Sequence, residues 1–153
     1  MNNEITGAGI ICYYDNRNGE LSSFSKEILY LILVDNNDKF DFPKGALDKL
    51  ELINKSYFEC ALRETYEESN LDYPDFEHIS KNNPVVSDNL IMYLGKLKKE
   101  TMINCKQIIK IKPNPVLKIK EHKSYIFLNQ VEAKLNILNY LNYFLTKAEK
   151  SIQ

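Results

Sequence analysis

A chain of 153 residues with 44% hydrophobic residues, 27% charged residues and a net charge of −1 is the size of one globular domain with room for a sizeable core. The near-neutral balance gives the chain as a whole no electrostatic grip on nucleic acid or a membrane surface, and no apolar run approaches the ~20 residues of a membrane span. Cys12, Cys60 and Cys105 are widely spaced and form no CxxC pair, so neither a disulfide framework nor a zinc site is indicated, and a reducing, cytoplasmic setting is expected.

In chain order, the N-terminus has no basic region followed by a long apolar run, so no signal peptide is expected. Residues 5–14 (ITGAGIICYY) and 27–35 (EILYLILVD) are rich in β-branched and aromatic side chains and predict buried strands. The polar segment 15–27 between them predicts a loop. A short strand around 39–42 leads into Pro43, and residues 56–69 predict a helix. Further strands are expected over 89–98 (NLIMYLGKLK), 106–112 (KQIIKIK) and 124–128 (SYIFL). Residues 129–153 predict one long helix, since Val131, Leu135, Leu138, Leu141, Phe144, Leu145 and Ala148 recur at spacings of three and four. With no internal repeat, linker or low-complexity tail, residues 1–153 are expected to form a single domain. Strands with one helix between them and another at the end predict an α+β, mixed-sheet architecture.

The helix over 56–69 carries the most chemical information. Ser56 with Glu59 three residues on predicts a capping box, and Asn70 stands where a left-handed residue usually ends a helix. At 100° per residue Phe58, Ala61, Leu62, Thr65 and Ser69 fall on one arc, with Tyr66 at its edge, while Glu64, Glu67 and Glu68 share another. Glu64 and Glu68 are a like-charge pair at i,i+4, which costs about 0.2–0.5 kcal/mol. Glu67 and Glu68 also face the negative end of the helix dipole. Arg63, one of only two arginines in the chain, is within reach of Glu59 and Glu67 but cannot serve every carboxylate. A hard divalent cation, Mg²⁺ or Mn²⁺, would turn the remaining repulsion into binding.

Ahead of this helix lies Phe42-Pro43-Lys44-Gly45, and within it RETYEESNL. Together they resemble the box of the Nudix hydrolases, G-x5-E-x7-R-E-U-x-E-E-x-G-U, where U is aliphatic. Gly45 matches the first glycine, Arg63 and Glu64 the RE pair, Glu67 and Glu68 the EE pair, and Leu71 the last aliphatic residue. Thr65 replaces an aliphatic residue and Asn70 the second glycine. Gly45 and Arg63 are 18 positions apart where the pattern has 14, so four extra residues precede the helix. Counted forward from Gly45 the first box glutamate is Glu51; counted back from Arg63 it is Lys55.

The resemblance implies an α/β/α sandwich, a mixed central sheet between helices, and hydrolysis of a nucleoside diphosphate linked to another moiety. It implies that Glu64, Glu67 and Glu68 ligate Mg²⁺ or Mn²⁺, that Arg63 orients the glutamates, and that Glu67 or Glu68 is a candidate base. Lys44, beside Gly45 in the turn before the helix, is placed to hold a substrate phosphate. The segment EHKSYIFLNQVEA is similar to the EHxxY of the asymmetric diadenosine tetraphosphate hydrolases within that family. By that likeness Glu121 is a further metal ligand or base, Tyr125 stacks on an adenine, and the substrate is a dinucleoside polyphosphate such as diadenosine tetraphosphate. His122 is read as a loop histidine without a role. Six lysines at 106, 110, 112, 118, 120 and 123 surround Glu121, so capped RNA or a diphosphoinositol polyphosphate is the alternative polyanion. A Nudix-fold module that binds nucleotide or RNA without catalysis is the alternative outside enzymology.

Overall fold

The computed structural model describes residues 4–152. β1 (Gly7–Asp15) and β2 (Ile28–Asp35) are the buried pair that their side chains dictate. Nearly every residue of both is buried, because helices cover both faces of the sheet and a strand in that position needs an apolar side chain at every step. Ala8, Ile10, Cys12 and Tyr14 face one apolar layer, and Ile11 and Tyr13 face the other, as the two-residue strand period requires. β3 (Phe40–Asp41) and β4 (Lys44–Ala46) follow as short strands on either side of Pro43. β5 (Phe76–Ser87), β6 (Leu90–Leu97) and β7 (His122–Asn129) complete a mixed seven-stranded sheet.

Its main path runs β3-β2-β1-β6-β5, with β4 added to β1 and β7 to β2. β1 and β6 are parallel; the other strand pairs are antiparallel. Helix α2 (Tyr57–Ser69) covers one face with α3 (Lys99–Ile103) and α4 (Cys105–Ile108) beside it. Helices α5 (Gln130–Asn136) and α6 (Asn142–Ile152) cover the other. The result is the expected α/β/α sandwich. No helix among the described residues is long and apolar enough to cross a membrane.

Three expected elements come out differently. Residues 106–112 form no strand: the chain turns through α4 and then runs irregularly, with Ile109 buried as an anchor on the α2 side. The C-terminal helix is broken. Ile137 is extended, bridges to Phe40, and is buried, while the Leu138 N–H donates to the Phe40 carbonyl at 3.1 Å. Sheet pairing there outweighs helix continuity, and it leaves Val131 and Leu135 exposed instead of on a buried stripe. The Ser56–Glu59 capping box is also absent. Ser56 is the N-cap of α2 but makes no side-chain cap bond, and its own N–H is taken by the Glu51 carbonyl at 2.9 Å.

That carbonyl belongs to α1 (Lys49–Asn54), the helical turn into which the inserted residues fold. Asp48 and Glu51 cap it reciprocally, and Lys55 ends it in the left-handed region at φ 54°. The D-x-x-E spacing at 48–51 was the sequence signal for this turn. β5 had one too, the Asp88–Asn89 turn into β6, with Asp88 at φ 53°.

One glycine is decisive for bringing the Pro43–Lys44 turn onto β1. A Cβ on Gly9 would lie 2.3 Å from the Pro43 carbonyl oxygen and 2.5 Å from the Lys44 Cβ. Both belong to a segment held in the sheet by Ile10 N–H donating to that same carbonyl at 3.2 Å. Gly9→Ala is therefore expected to destabilise the fold by about 2–3 kcal/mol, lowering the thermal midpoint by roughly 5–10 °C in calorimetry. An unchanged midpoint would show that the turn moves freely.

Candidate active site

The site is built on the polar face of α2. Cys60, Ala61, Thr65 and Ser69 are buried beneath the helix, which turns Arg63, Glu64, Glu67 and Glu68 toward the turn formed by β4 and α1. Tyr66 is exposed, beyond the packed arc. Asn70 ends the helix at φ 68°, and its N–H donates to the Tyr66 carbonyl.

Arg63 organises the carboxylates. Its Nε donates to Glu51 Oε2 at 3.1 Å and its Nη2 to Glu51 Oε1 at 2.7 Å, a two-point fork. Nη2 also reaches the Ala46 carbonyl at 3.1 Å, and Nη1 donates to Glu64 at 2.9 Å and to both oxygens of Glu67 at 3.2 and 3.3 Å. The expected contact with Glu59 is replaced by the one with Glu51. α1 thus delivers Glu51 to Arg63 despite the longer spacing. The Arg63 guanidinium holds the Glu51 carboxyl below its ordinary range.

Glu64 and Glu68 are less well served. Burial pushes the Glu64 carboxyl up, against the pull of Arg63. Its carboxylate lies over Gly45, where a Cβ would meet the Glu64 Cδ at 2.2 Å, so glycine at this position makes room for it. Glu68 Oε1 accepts the Lys44 backbone N–H at 2.9 Å. Burial nevertheless drives its pKa to about 9, with Glu64, Asp41 and Glu121 adding repulsion.

Glu64, Glu67 and Glu68 border a cavity of about 10 Å³ with Glu121 and His122 of the β7 end and with Lys112, Asn114 and Pro115. That volume suits a single water or ion. Glu121 accepts from Asn114 Nδ2 at 3.2 Å. His122 is no loop residue: it opens β7, is buried, and places Nδ1 3.9 Å from Glu68 Oε2. Burial lowers its pKa, against the pull of Asp41, Glu121 and Asp35. Its place beside Glu121 in the EHxxY segment was the only available clue to it.

The Lys44 side chain turns away from the cavity. Its Nζ is 3.3 Å from Asp41 Oδ2 and 5.4 Å from the Tyr140 ring centre. Burial would lower its pKa, but Asp41 and Tyr140 outweigh burial and raise it. There it borders a second cavity of about 290 Å³ that is also lined by Thr6, Gly7, Asn89, Tyr140 and Phe144. Tyr125 is brought to neither cavity: half-buried on the α2 side, it packs edge-to-face on Phe127 at 6.1 Å. Asp41, absent from the sequence-derived set, is a further, half-buried carboxylate beside Lys44, with a buried Oδ1 that lacks a hydrogen-bond partner among the described residues.

Oxygen donors, burial and a cavity of ionic size fit a hard divalent cation. Buried carboxylates held above their usual pKa are short of positive charge, and a cation would supply it. The fit lies in chemistry more than in a finished coordination shell, since no three acidic, histidine or cysteine groups among the described residues already converge on one ion position.

The architecture has close counterparts among solved structures. A C. elegans Ap4A hydrolase binary complex superposes with a TM-score of 0.68 over 97% of each chain at 16% identity. This is the Nudix fold. The NUDIX domain of Shewanella oneidensis NrtR complexed with ADP ribose matches 100% of this chain and 91% of its own with a TM-score of 0.65 and 11% identity. The M. smegmatis Nudix hydrolase RenU matches 100% and 90% with a TM-score of 0.64 and 10% identity. No family model matches the sequence, and no curated protein does. At these identities the Nudix fold is shared while most side chains are not, so the chemistry rests on the residues described above.

The burial of Glu68 has a measurable consequence. A folded-state pKa of about 9 against an ordinary 4.5 means that folding takes up a proton between those values. The cation-free protein therefore loses stability as pH rises through that window. With EDTA present, the midpoint of Glu68→Gln minus that of wild type is expected to grow steadily from pH 5 to pH 8.5. A constant difference would show that Glu68 ionises normally.

Proposed function

We propose that this chain is a Mg²⁺- or Mn²⁺-dependent Nudix hydrolase that cleaves a phosphoanhydride in a nucleoside diphosphate-linked substrate, best a dinucleoside polyphosphate such as diadenosine tetraphosphate. The observation that carries the reading is that Glu64, Glu67, Glu68 and Glu121 line one small cavity, with Arg63 keyed to Glu51 beside them. Sequence spacing alone left Glu51 out of register, whereas its fork with Arg63 supports reading it as the first box glutamate.

Glu64, Glu67, Glu68 and Glu121 would hold the cation, which when bound supplies charge neutralisation for the diphosphate and acidifies a water. Arg63 fixes the Glu64 and Glu67 rotamers, so these side chains need little reordering to meet a ligand. Glu68, whose Oε2 lies 3.9 Å from His122 Nδ1, is the carboxylate best placed to hold a proton. Lys44 is the donor for a phosphate, swinging from Asp41, and the 290 Å³ cavity beside it gives a nucleoside room next to Tyr140. The ligands named for the structural neighbours, Ap4A and ADP ribose, share this diphosphate chemistry. Cys12, Cys60 and Cys105 are free thiols, in keeping with work in a reducing, cytoplasmic compartment.

The test is phosphate-product release from diadenosine tetraphosphate, ADP-ribose and capped RNA with and without Mg²⁺. Turnover is expected with Mg²⁺ only, and Glu67→Gln and Glu68→Gln should each lower kcat by roughly 10²–10³-fold, the scale of losing one preorganised electrostatic group. Circular dichroism should show both variants folded. A wild type that turns over none of the substrates and binds no Mg²⁺ in calorimetry would overturn the reading.

A further inference from the structure

The segment between α4 and β7 brings one more cation to the cavity. It has no regular structure, yet its course is fixed at both ends of a short span. Lys110 N–H donates to the Ser69 carbonyl at 3.0 Å, and Asn114 closes a compact turn, donating to the Ile119 carbonyl and accepting from Lys118 N–H. The Asn114 side chain also accepts from the N–H groups of Val116 and Leu117, both at 2.8 Å. Lys112 lies between these anchors. Of the six lysines in 106–123 it is the one that lines the carboxylate cavity, whereas Lys123, for instance, is spent on Asp38.

The position of its ammonium is unexpected. With four carboxylates around the same cavity, no carboxylate oxygen among the described residues lies within 4 Å of Lys112 Nζ. It sits instead 3.7 Å from the centre of the exposed Tyr66 ring. A cation–π contact at an exposed site is weak and leaves most of the charge free for a stronger anion. The cavity, at about 10 Å³, is too small for a phosphate group, so a phosphate chain would have to lie outside it, against lining residues such as Lys112. Lys44, the other lysine at the site, is tied to Asp41 and borders the nucleoside-sized cavity.

We propose that Lys112, held on the Tyr66 ring beside the carboxylate cavity, binds a phosphate beyond the cleaved diphosphate, so that the site selects chains of three or more phosphates. The proposal rests on reading this cavity as the phosphoanhydride site. It makes Lys112 a specificity residue and distinguishes dinucleoside polyphosphates from diphosphate-linked sugars.

Two measurements on wild type, Lys112→Gln and Lys112→Arg test it: the ratio of kcat/KM for diadenosine tetraphosphate over ADP-ribose, and calorimetric binding of inorganic tripolyphosphate with Mg²⁺. Losing a charge-assisted contact to phosphate should lower the ratio and weaken tripolyphosphate binding by about tenfold each in Lys112→Gln, with Lys112→Arg restoring most of both. If wild type hydrolyses the substrates but both quantities are unchanged in Lys112→Gln, the role of Lys112 is overturned and the hydrolase reading stands. If tripolyphosphate binding depends on Lys112 but no substrate is turned over, the phosphate contact stands and the hydrolase reading falls.

Discussion

Everything at the candidate site depends on one guanidinium. Arg63 spreads its donors over Glu51, Glu64, Glu67 and the Ala46 carbonyl, joining α1, α2 and β4 at a point. Three carboxylates brought this close would repel one another, and a planar, permanently charged fork can meet several at once where a lysine offers a single charge. Its reach is also limited. Glu68 lies outside it and, among the described residues, has only the Lys44 N–H for a donor, and this is the carboxylate that burial pushes furthest from its ordinary pKa. The site thus divides into a satisfied half around Arg63 and an electron-rich half around Glu68, Asp41 and Glu121. The second half is where a cation or a proton belongs.

The sheet exists in a form that makes this possible. β1 pairs with β6 along its length on one edge, and on the other with β4 at its start and β2 at its end. The gap between β4 and β2 is where Pro43 brings the chain across, and Gly9 and Gly45 are the two places where backbone and carboxylate approach too closely for a side chain. Hydrophobic layers on both faces fix α2 against β1 through Cys60 and Ala61. The polar face of the helix is consequently presented at one end of the sheet and at one rotation.

Much of this was legible in the sequence, for reasons that differ by element. β1 and β2 were plain because strands buried on both faces leave an unbroken apolar run. α2 was plain because its small and apolar residues recur at the helical period and its end carries Asn70. The acidic face and Arg63 were readable as a charge problem that a helix alone does not resolve. The failures have a common cause in contacts between distant residues. The bridge from Ile137 to Phe40 breaks a helix whose periodicity looked continuous, and Lys110 to Ser69 holds an irregular segment where alternation suggested a strand. His122 read as a loop histidine and Asp41 carried no signal, because a lone histidine or aspartate means little until the fold sets it beside Glu68. Tyr125 had the opposite history, since its motif suggested a substrate contact and its strand register turned it into the α2-side layer.

The insertion before α2 shows how such a site tolerates change. Four residues are close to the 3.6 that complete one helical turn, and here they are absorbed as a turn of helix with its own cap and its own left-handed exit at Lys55. The left-handed Lys55 redirects the chain between α1 and α2, and Ser56 N–H donating to the Glu51 carbonyl ties the start of one helix to the other. Glu51 can therefore face Arg63 although the linear count has slipped. What this stretch keeps is a contact, and a self-capped turn of helix closed by a left-handed residue gives the extra length somewhere to go without parting Glu51 from Arg63.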